Sequence, residues 1–398
     1  MVKAPMKTIA FLSSPQEALA LDIASRDHSL DEVYAVRYKG YSSGKYFQTI
    51  CTILDELRID YQEVELRNHR ISISSGRPVR ALIDMLENIR KLNQLDKNQY
   101  QGKLYDPSTL IFANHTSPVF DLVRKRKGIS SFRAIEHSPI DELDCNVKGE
   151  AEEKTPGLLS RFAGKLVVAL RQSTRRTISR MTCVPVVQVS RLIFPYFNRN
   201  NFVHAGYSWR EKSGFSQLLY SNIILDVGDS IDKSAIGYDN EKRGLLMIEH
   251  PELYKTTSLY DKNVDVSSFI SAYMGMSQRH LGDHTLVILK PHPFIYEGLP
   301  QDQVSRYLWS VKKAVESAGI QRVLLFSEIV KGRLSDLPLE LFVKGLQVST
   351  VVGSYSCAHI LLQNEPGIRV ISDCSDFRSM ADLRRTHNKG LKFDFEMF

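Results

Sequence analysis

The stretch Leu286-Val287-Ile288-Leu289-Lys290-Pro291-His292-Pro293 begins as an unbroken apolar run and closes on a histidine held between two prolines. A short apolar run of this kind is a strand buried in a sheet. The prolines fix φ on either side and remove competing N–H groups, so the imidazole is presented rigidly where the strand ends. In an open α/β sheet that end is the ligand edge. His292 could donate there to a phosphate oxygen as a leaving group departs, or the tetrapeptide could be a plain turn.

The same rhythm extends to both sides of this strand. Thr8–Leu12, Glu32–Tyr38, Tyr61–Leu66, Leu110–Ala113 and Phe132–Glu136 read as strands in the first half. Gly244–Glu249, Thr285–Lys290, Arg322–Phe326, Ser349–Val352 and Ile368–Ser372 read as strands in the second, with helical segments such as Gln303–Ala318 and Pro338–Gly345 between them. Strands alternating with amphipathic stretches predict a parallel sheet with helices on its faces, here twice over. A chain of 398 residues also exceeds what one core normally organises. The expected fold class is therefore α/β, with two Rossmann-like domains over residues 1–240 and 241–398, joined through Lys212–Asn240. Neither half carries a G-x-G-x-x-G, P-loop or EF-hand pattern, which weakens the usual NAD and ATP readings.

Composition narrows the classes further. No stretch approaches the ~18 apolar residues of a membrane span, and Met1–Lys7 leads into a strand too short for a signal-peptide core, so a cytoplasmic protein is expected. Cys51, Cys145, Cys183, Cys357 and Cys374 are scattered without metal-ligand spacing and no H-E-x-x-H occurs, so reduced thiols and no metal are expected. A net charge of +7 admits a polyanionic partner. No nucleic-acid-binding module is recognisable. Residues 155–200 form a basic amphipathic insertion that includes Arg175 and Arg176 and has no acid over 161–180. It could be a solvated face, a groove for an acidic glycan, or a peripheral contact with the inner face of a membrane.

Other strand ends carry polar clusters. Val352-Gly353-Ser354-Tyr355-Ser356 lies at a strand-to-helix turn, where free N–H groups and hydroxyls could bind an anion or simply cap the helix. Glu340, in the helical segment before it, could accept from ribose hydroxyls or favour the helix start. In the first half, Ser13-Ser14-Pro15-Gln16, Asn114-His115 and Glu136-His137 close successive strands. Glu136 could act as a general base toward a hydroxyl, with His137 tuning or replacing it. Glu249-His250-Pro251, a second His-Pro, reads as a structural strand end, although a first-strand loop also faces the ligand edge and could touch ligand.

Together Ile135-Glu136, Lys290-Pro291-His292-Pro293 and Val352-Gly353-Ser354-Tyr355-Ser356, with Glu340 and Ser13-Ser14-Pro15-Gln16, resemble the bacterial polysialyltransferase family and its sialyltransferase relatives in order, spacing and domain placement. That resemblance implies a GT-B fold whose two sheets face a central cleft, and an inverting, metal-independent transfer from CMP-sialic acid without a cofactor. It implies Glu136 as base and His292 on the CMP phosphate, with Lys290, Pro293, Gly353, Ser354 and Ser356 around that phosphate and Glu340 on the ribose. Ser13, Ser14, Gln16, Asn114, His115, His137, Arg175 and Arg176 fall to a glycan acceptor, an acidic one included. The chain departs from the family at Glu136-His137-Ser138, where two acids and a glycine are usual, and at Ser356-Cys357, where paired hydroxyls are usual. A UDP- or GDP-sugar enzyme, as transferase or epimerase, and a degenerate GT-B module binding glycan or nucleotide are the alternatives.

Overall fold

A computed structural model describes residues 7–27, 29–39, 44–68, 78–106, 108–114, 117, 119, 132–135, 202–203, 227–237, 241–249, 266–293, 295–298, 300–363, 365–377, 380–381, 384–385 and 395–398. The first sheet holds β1 (Thr8–Leu12), β2 (Glu32–Tyr38), β3 (Gln62–Leu66), β4 (Leu110–Ala113), β5 (Phe132–Ile135) and β6 (Phe202–Val203). The second holds β7 (Arg243–Ile248), β8 (Leu286–Pro291), β9 (Arg322–Leu325), β10 (Thr350–Gly353), β11 (Arg369–Ser372) and β12 (Glu396–Met397). Every strand pair is parallel.

Strand order is β3-β2-β1-β4-β5-β6 in the first sheet and β12-β11-β10-β7-β8-β9 in the second. Counted from each sheet's own first strand, both orders are 3-2-1-4-5-6, the Rossmann order, in which the winding reverses beside the first strand. Among the described residues, the helices of six residues or more are α1 (Pro15–Asp27), α2 (Lys45–Glu56), α3 (Pro78–Leu95), α4 (Val266–His280), α5 (Gln301–Ser317) and α6 (Cys357–Leu362). The chain thus comprises two Rossmann-like domains, each a parallel sheet flanked by helices.

The central strands are buried along their whole length, as parallel strands covered on both faces must be: β1, β4, β7, β8 and β10 show no exposed residue. In the first sheet Ile9, Phe11, Tyr34, Val36, Leu66 and Ile111 build the core, closed over by Leu92 of α3. In the second, Phe269, Tyr273 and Met276 of α4 and Val304, Val311 and Val315 of α5 are buried. These are one face of each helix at three- and four-residue spacing.

By contacts the chain divides into one unit of Met1–Ser13, Ala20–Gly40 and Asp60–Val203, and another of Ser14–Leu19, Tyr41–Ile59 and His204–Phe398. The second unit therefore includes α2, which begins after Gly44 at φ 62, a left-handed turn that glycine enters without strain. The segment Pro338–Gly345, expected as a helix, forms a 3-10 turn over Leu339–Leu341 followed by irregular turns. Its Leu339, Leu341, Phe342 and Val343 are all buried, so packing rather than helical propensity shapes it.

Candidate functional site at the carboxyl edge of the second sheet

His292 follows the last residue of β8 and is held through its main chain. Its N–H donates to the Ile248 carbonyl (2.7 Å), tying the end of β8 to β7, and its carbonyl accepts from Ile295 N–H (3.0 Å). The Pro293 carbonyl accepts from Tyr296 N–H (3.2 Å). His292 and Pro293 are half-buried at the strand end, with the rigidity expected of a residue between two prolines.

Lys290 turns inward from the same strand. Its Nζ donates to the Ser335 carbonyl (2.8 Å) and lies 4.0 Å from the centre of the Phe326 ring. Burial pulls the ammonium down to about 7, against the opposing pull of Asp336 and Glu340. A cavity of about 10 Å³, the size of a single water, lies between Lys290, Tyr296, Ser327 and Asp336. Glu340 is buried on the 3-10 turn, and burial raises its carboxyl above the usual range although Lys290 acts the other way. Beside them, Lys45 of α2 pairs with Asp336 (2.8 Å) and sits 3.6 Å from the centre of the Tyr296 ring.

At the end of β10, Gly353 makes room for its neighbours. A Cβ there would come within 2.7 Å of Met247 Cε and 3.3 Å of His359 Cε1. Ser354 is fully buried, and its carbonyl accepts from the Ser372 hydroxyl and from Cys374 Sγ (3.1 Å). Ser356 precedes α6, and its N–H donates to His359 Nδ1 (3.0 Å). His359 Nε2 lies 2.9 Å from the Ile371 carbonyl, so the ring carries its proton on Nε2 and accepts at Nδ1. Burial lowers this imidazole to about 4 and keeps it neutral. The Ser356 main-chain N–H is thus engaged, and its hydroxyl rests beside Met247 Sδ (3.5 Å) and His359 Nδ1 (3.3 Å).

Two further acids stand at this edge, Glu249 and Asp373. Glu249, immediately after β7, is buried, and burial pushes its carboxyl up to about 7, partly offset by the Ser354 hydroxyl. Its signal in the sequence is its place at the end of the second half's first strand, beside a His-Pro. Asp373, immediately after β11, meets Arg279 Nε (2.8 Å), His280 Nε2 (2.8 Å) and Ser375 N–H (2.9 Å). Burial works against its charge, but these bonds hold it at about 2.

In the first sheet, Ser13 follows β1 and is half-buried. Ser14 Oγ accepts from Glu17 N–H (3.3 Å) as the cap of α1, and Gln16 is half-buried in the first turn of that helix. Asn114 is buried after β4 and donates from Nδ2 to the Ile135 carbonyl (3.1 Å), bridging the ends of β4 and β5. His115, Glu136, His137, Arg175 and Arg176 lie outside the described residues.

Neither a protein-family model nor a curated protein sequence matches the chain. Two successive parallel sheets of one strand order, each flanked by helices, match the general two-domain topology of GT-B proteins. The fold is GT-B-like. Such a fold is consistent with a nucleotide-sugar-dependent transferase. Among the described residues no group of His, Cys, Asp and Glu is arranged to hold a metal ion, and no helix is long and apolar enough to cross a membrane.

Proposed function

We propose that the chain transfers sialic acid, or a related keto-acid sugar such as Kdo, from a CMP donor to a glycan acceptor in the synthesis of a surface polysaccharide or lipooligosaccharide. The observation that supports this most is the gathering of His292, Ser354 and Ser356 at the carboxyl edge of the second, Rossmann-ordered sheet, where open α/β sheets take their ligands.

In the proposed step, Glu136 takes the proton of an acceptor hydroxyl whose oxygen attacks the anomeric carbon. The bond from that carbon to the CMP phosphate breaks, and its electron pair leaves with the phosphate oxygen. His292 and the Ser356 hydroxyl stabilise the charge that develops there, and the step is assigned no metal. Attack and departure on opposite faces invert the anomeric centre. The basic insertion around Arg175 and Arg176 holds an acidic acceptor, at the inner face of the membrane where such chains are assembled.

Incubation with CMP-Neu5Ac and with CMP-Kdo, with and without glycan acceptors, tests the reading through release of CMP. Release that disappears in both Glu136→Ala and His292→Ala is expected. No release from either donor, together with thermal stabilisation by UDP or GDP but not CMP, would overturn the choice of donor.

A further inference from the structure

The second sheet reverses its winding between β7 and β10, with β8 and β9 to one side and β11 and β12 to the other. A crevice opens outside the strand ends at such a reversal, and ligands of open α/β sheets settle in it. Here its two walls end in Glu249 and Ser354, which are 6% and 0% exposed. The Ser354 hydroxyl makes no hydrogen bond of full geometry, although it lies close enough to Glu249 to bias the carboxyl toward ionisation.

A buried carboxylate stays charged only where a cation or hydrogen-bond donors compensate its lost hydration. The groups facing Glu249 supply few. Tyr273 of α4 accepts from the Glu249 N–H (2.7 Å), and Tyr307 of α5 donates to the Glu249 carbonyl (3.3 Å), so both tyrosines engage its main chain. Cys374, beyond β11, feels the Glu249 carboxyl but gives its proton to the Ser354 carbonyl. Arg384, a cation acting on Cys374, bonds the carbonyls of Ser372 (2.6 Å) and Phe398 (2.8 Å). On the β8 side His292 donates its N–H to Ile248. Among the described residues the carboxyl is left with the Ser354 hydroxyl, and one hydroxyl proton cannot both neutralise a carboxylate and point into the crevice.

We propose that Glu249 makes anion binding at this crevice proton-linked: a phosphate-bearing ligand binds while Glu249 is neutral, and ionisation of Glu249 weakens it. The inference rests on the nucleotide-sugar reading of the same edge and deepens it, because it assigns the crevice a phosphate whose affinity follows pH. Burial of the acid places the transition near neutrality. Once Glu249 ionises, its charge lies beneath the ligand in a medium that screens poorly, and the Ser354 proton turns toward the carboxylate.

The test is calorimetric titration of CMP into the native protein and Glu249→Gln between about pH 6 and 8.5. The phosphate of CMP also titrates in this range, so the two proteins are compared at each pH. The ratio of native to variant Kd is expected to rise above neutral pH, by up to about tenfold per pH unit for a single linked proton. Above pH 7.5 the native protein is expected to take up a proton on binding that the variant does not, read from titrations in buffers of different ionisation heat. CMP binding with a constant Kd ratio overturns the linkage and leaves the nucleotide reading standing. Absence of CMP binding in both proteins at every pH overturns both. A ligand-free control addresses the titration itself: the Tm advantage of Glu249→Gln is expected to be larger at pH 8 than at pH 5, and an advantage equal at both overturns the proposal.

Discussion

Glu32 at the amino edge of the first sheet and Glu249 at the carboxyl edge of the second are both acids at the end of a strand, and their surroundings are opposite. Glu32 meets Lys7 Nζ (2.7 Å) and accepts from the hydroxyls of Tyr34 (2.7 Å) and Tyr100. Burial raises its carboxyl, but these partners outweigh burial and hold it below the usual range. Glu249 has burial and one hydroxyl, and it rises. At the amino edge of the second sheet Lys242 pairs with Asp283, and Arg243 donates to the Leu346 carbonyl (3.1 Å) and to Gln347 Oε1 (2.8 Å). At the carboxyl edge of the second sheet, Glu249, Lys290 and Glu340 all move toward neutrality. Asp373 at the same edge stays paired, so it is the groups with few compensating charges, Glu249 foremost, that are candidates for a binding role where open sheets take ligands.

The comparison breaks first on activity. His292→Ala at the carboxyl edge is expected to slow CMP release by roughly 10²–10⁴-fold, whereas Lys7→Ala at the amino edge should leave the rate within about twofold and lower Tm. A comparable loss of rate in Lys7→Ala would erase the distinction between the edges. The next effect concerns Asp373, the carboxyl-edge acid that is paired. Asp373→Ala leaves Arg279 and His280 without their shared partner and should cost about 3–5 kcal/mol in urea unfolding. Because the folded protein holds Asp373 at about 2, its contribution is present above the unfolded carboxyl range and is lost as pH falls toward 2, so the native and variant curves should converge in acid.

A smaller effect sharpens the contrast between the two glutamates. Glu32→Gln should cost about 1 kcal/mol at neutral pH and less as acid protonates the native carboxyl, since a lowered acid stabilises only above its unfolded range. Glu249 has the opposite sign. Its raised carboxyl costs the native protein nothing in acid, and the cost grows as pH climbs toward 7. The two variants should therefore depart from the native protein in separate windows of their melting curves. The deficit of Glu32→Gln shrinks as pH falls below the ordinary carboxylate range, and the advantage of Glu249→Gln grows from that range up to about pH 7. A deficit of Glu32→Gln that persists in strong acid would contradict the assignment. Smallest of all, Lys313→Ala removes an exposed pair with Glu316 (2.6 Å) away from either edge and should change unfolding by under about 0.5 kcal/mol.

Much of the fold is legible in the sequence because buried parallel strands are short apolar runs. Thr8–Leu12, Glu32–Tyr38 and Leu110–Ala113 form over the residues expected, and the other expected strands begin and end within a residue of their structural bounds. Phe202–Val203 and Glu396–Met397 carry no such signal, since a two-residue strand exists only through the neighbour it pairs with. Pro338–Gly345 has helical apolar spacing, but its burial among other elements leaves it as turns. At the site, the end of β8 was visible in Lys290-Pro291-His292-Pro293. The placing of Glu249 beside Ser354 was not, because it depends on β10 returning to lie against β7, and strand order is not written in any local pattern. The inward course of Lys290 and the engagement of Ser356 N–H by His359 are likewise products of packing.

The placement of α2 bears on how this protein can be taken apart. A fragment beginning at His204 would contain all of β7 to β12 yet lack Tyr41–Ile59, and with it the Lys45 partner of Asp336 and Tyr296. The turn Gly332–Asp336, which α2 packs against in the intact chain, would lose that cover. On the ribosome the order of synthesis solves this problem, since the helix emerges long before the surface it covers. In a split gene the missing helix would have to be supplied as a separate peptide.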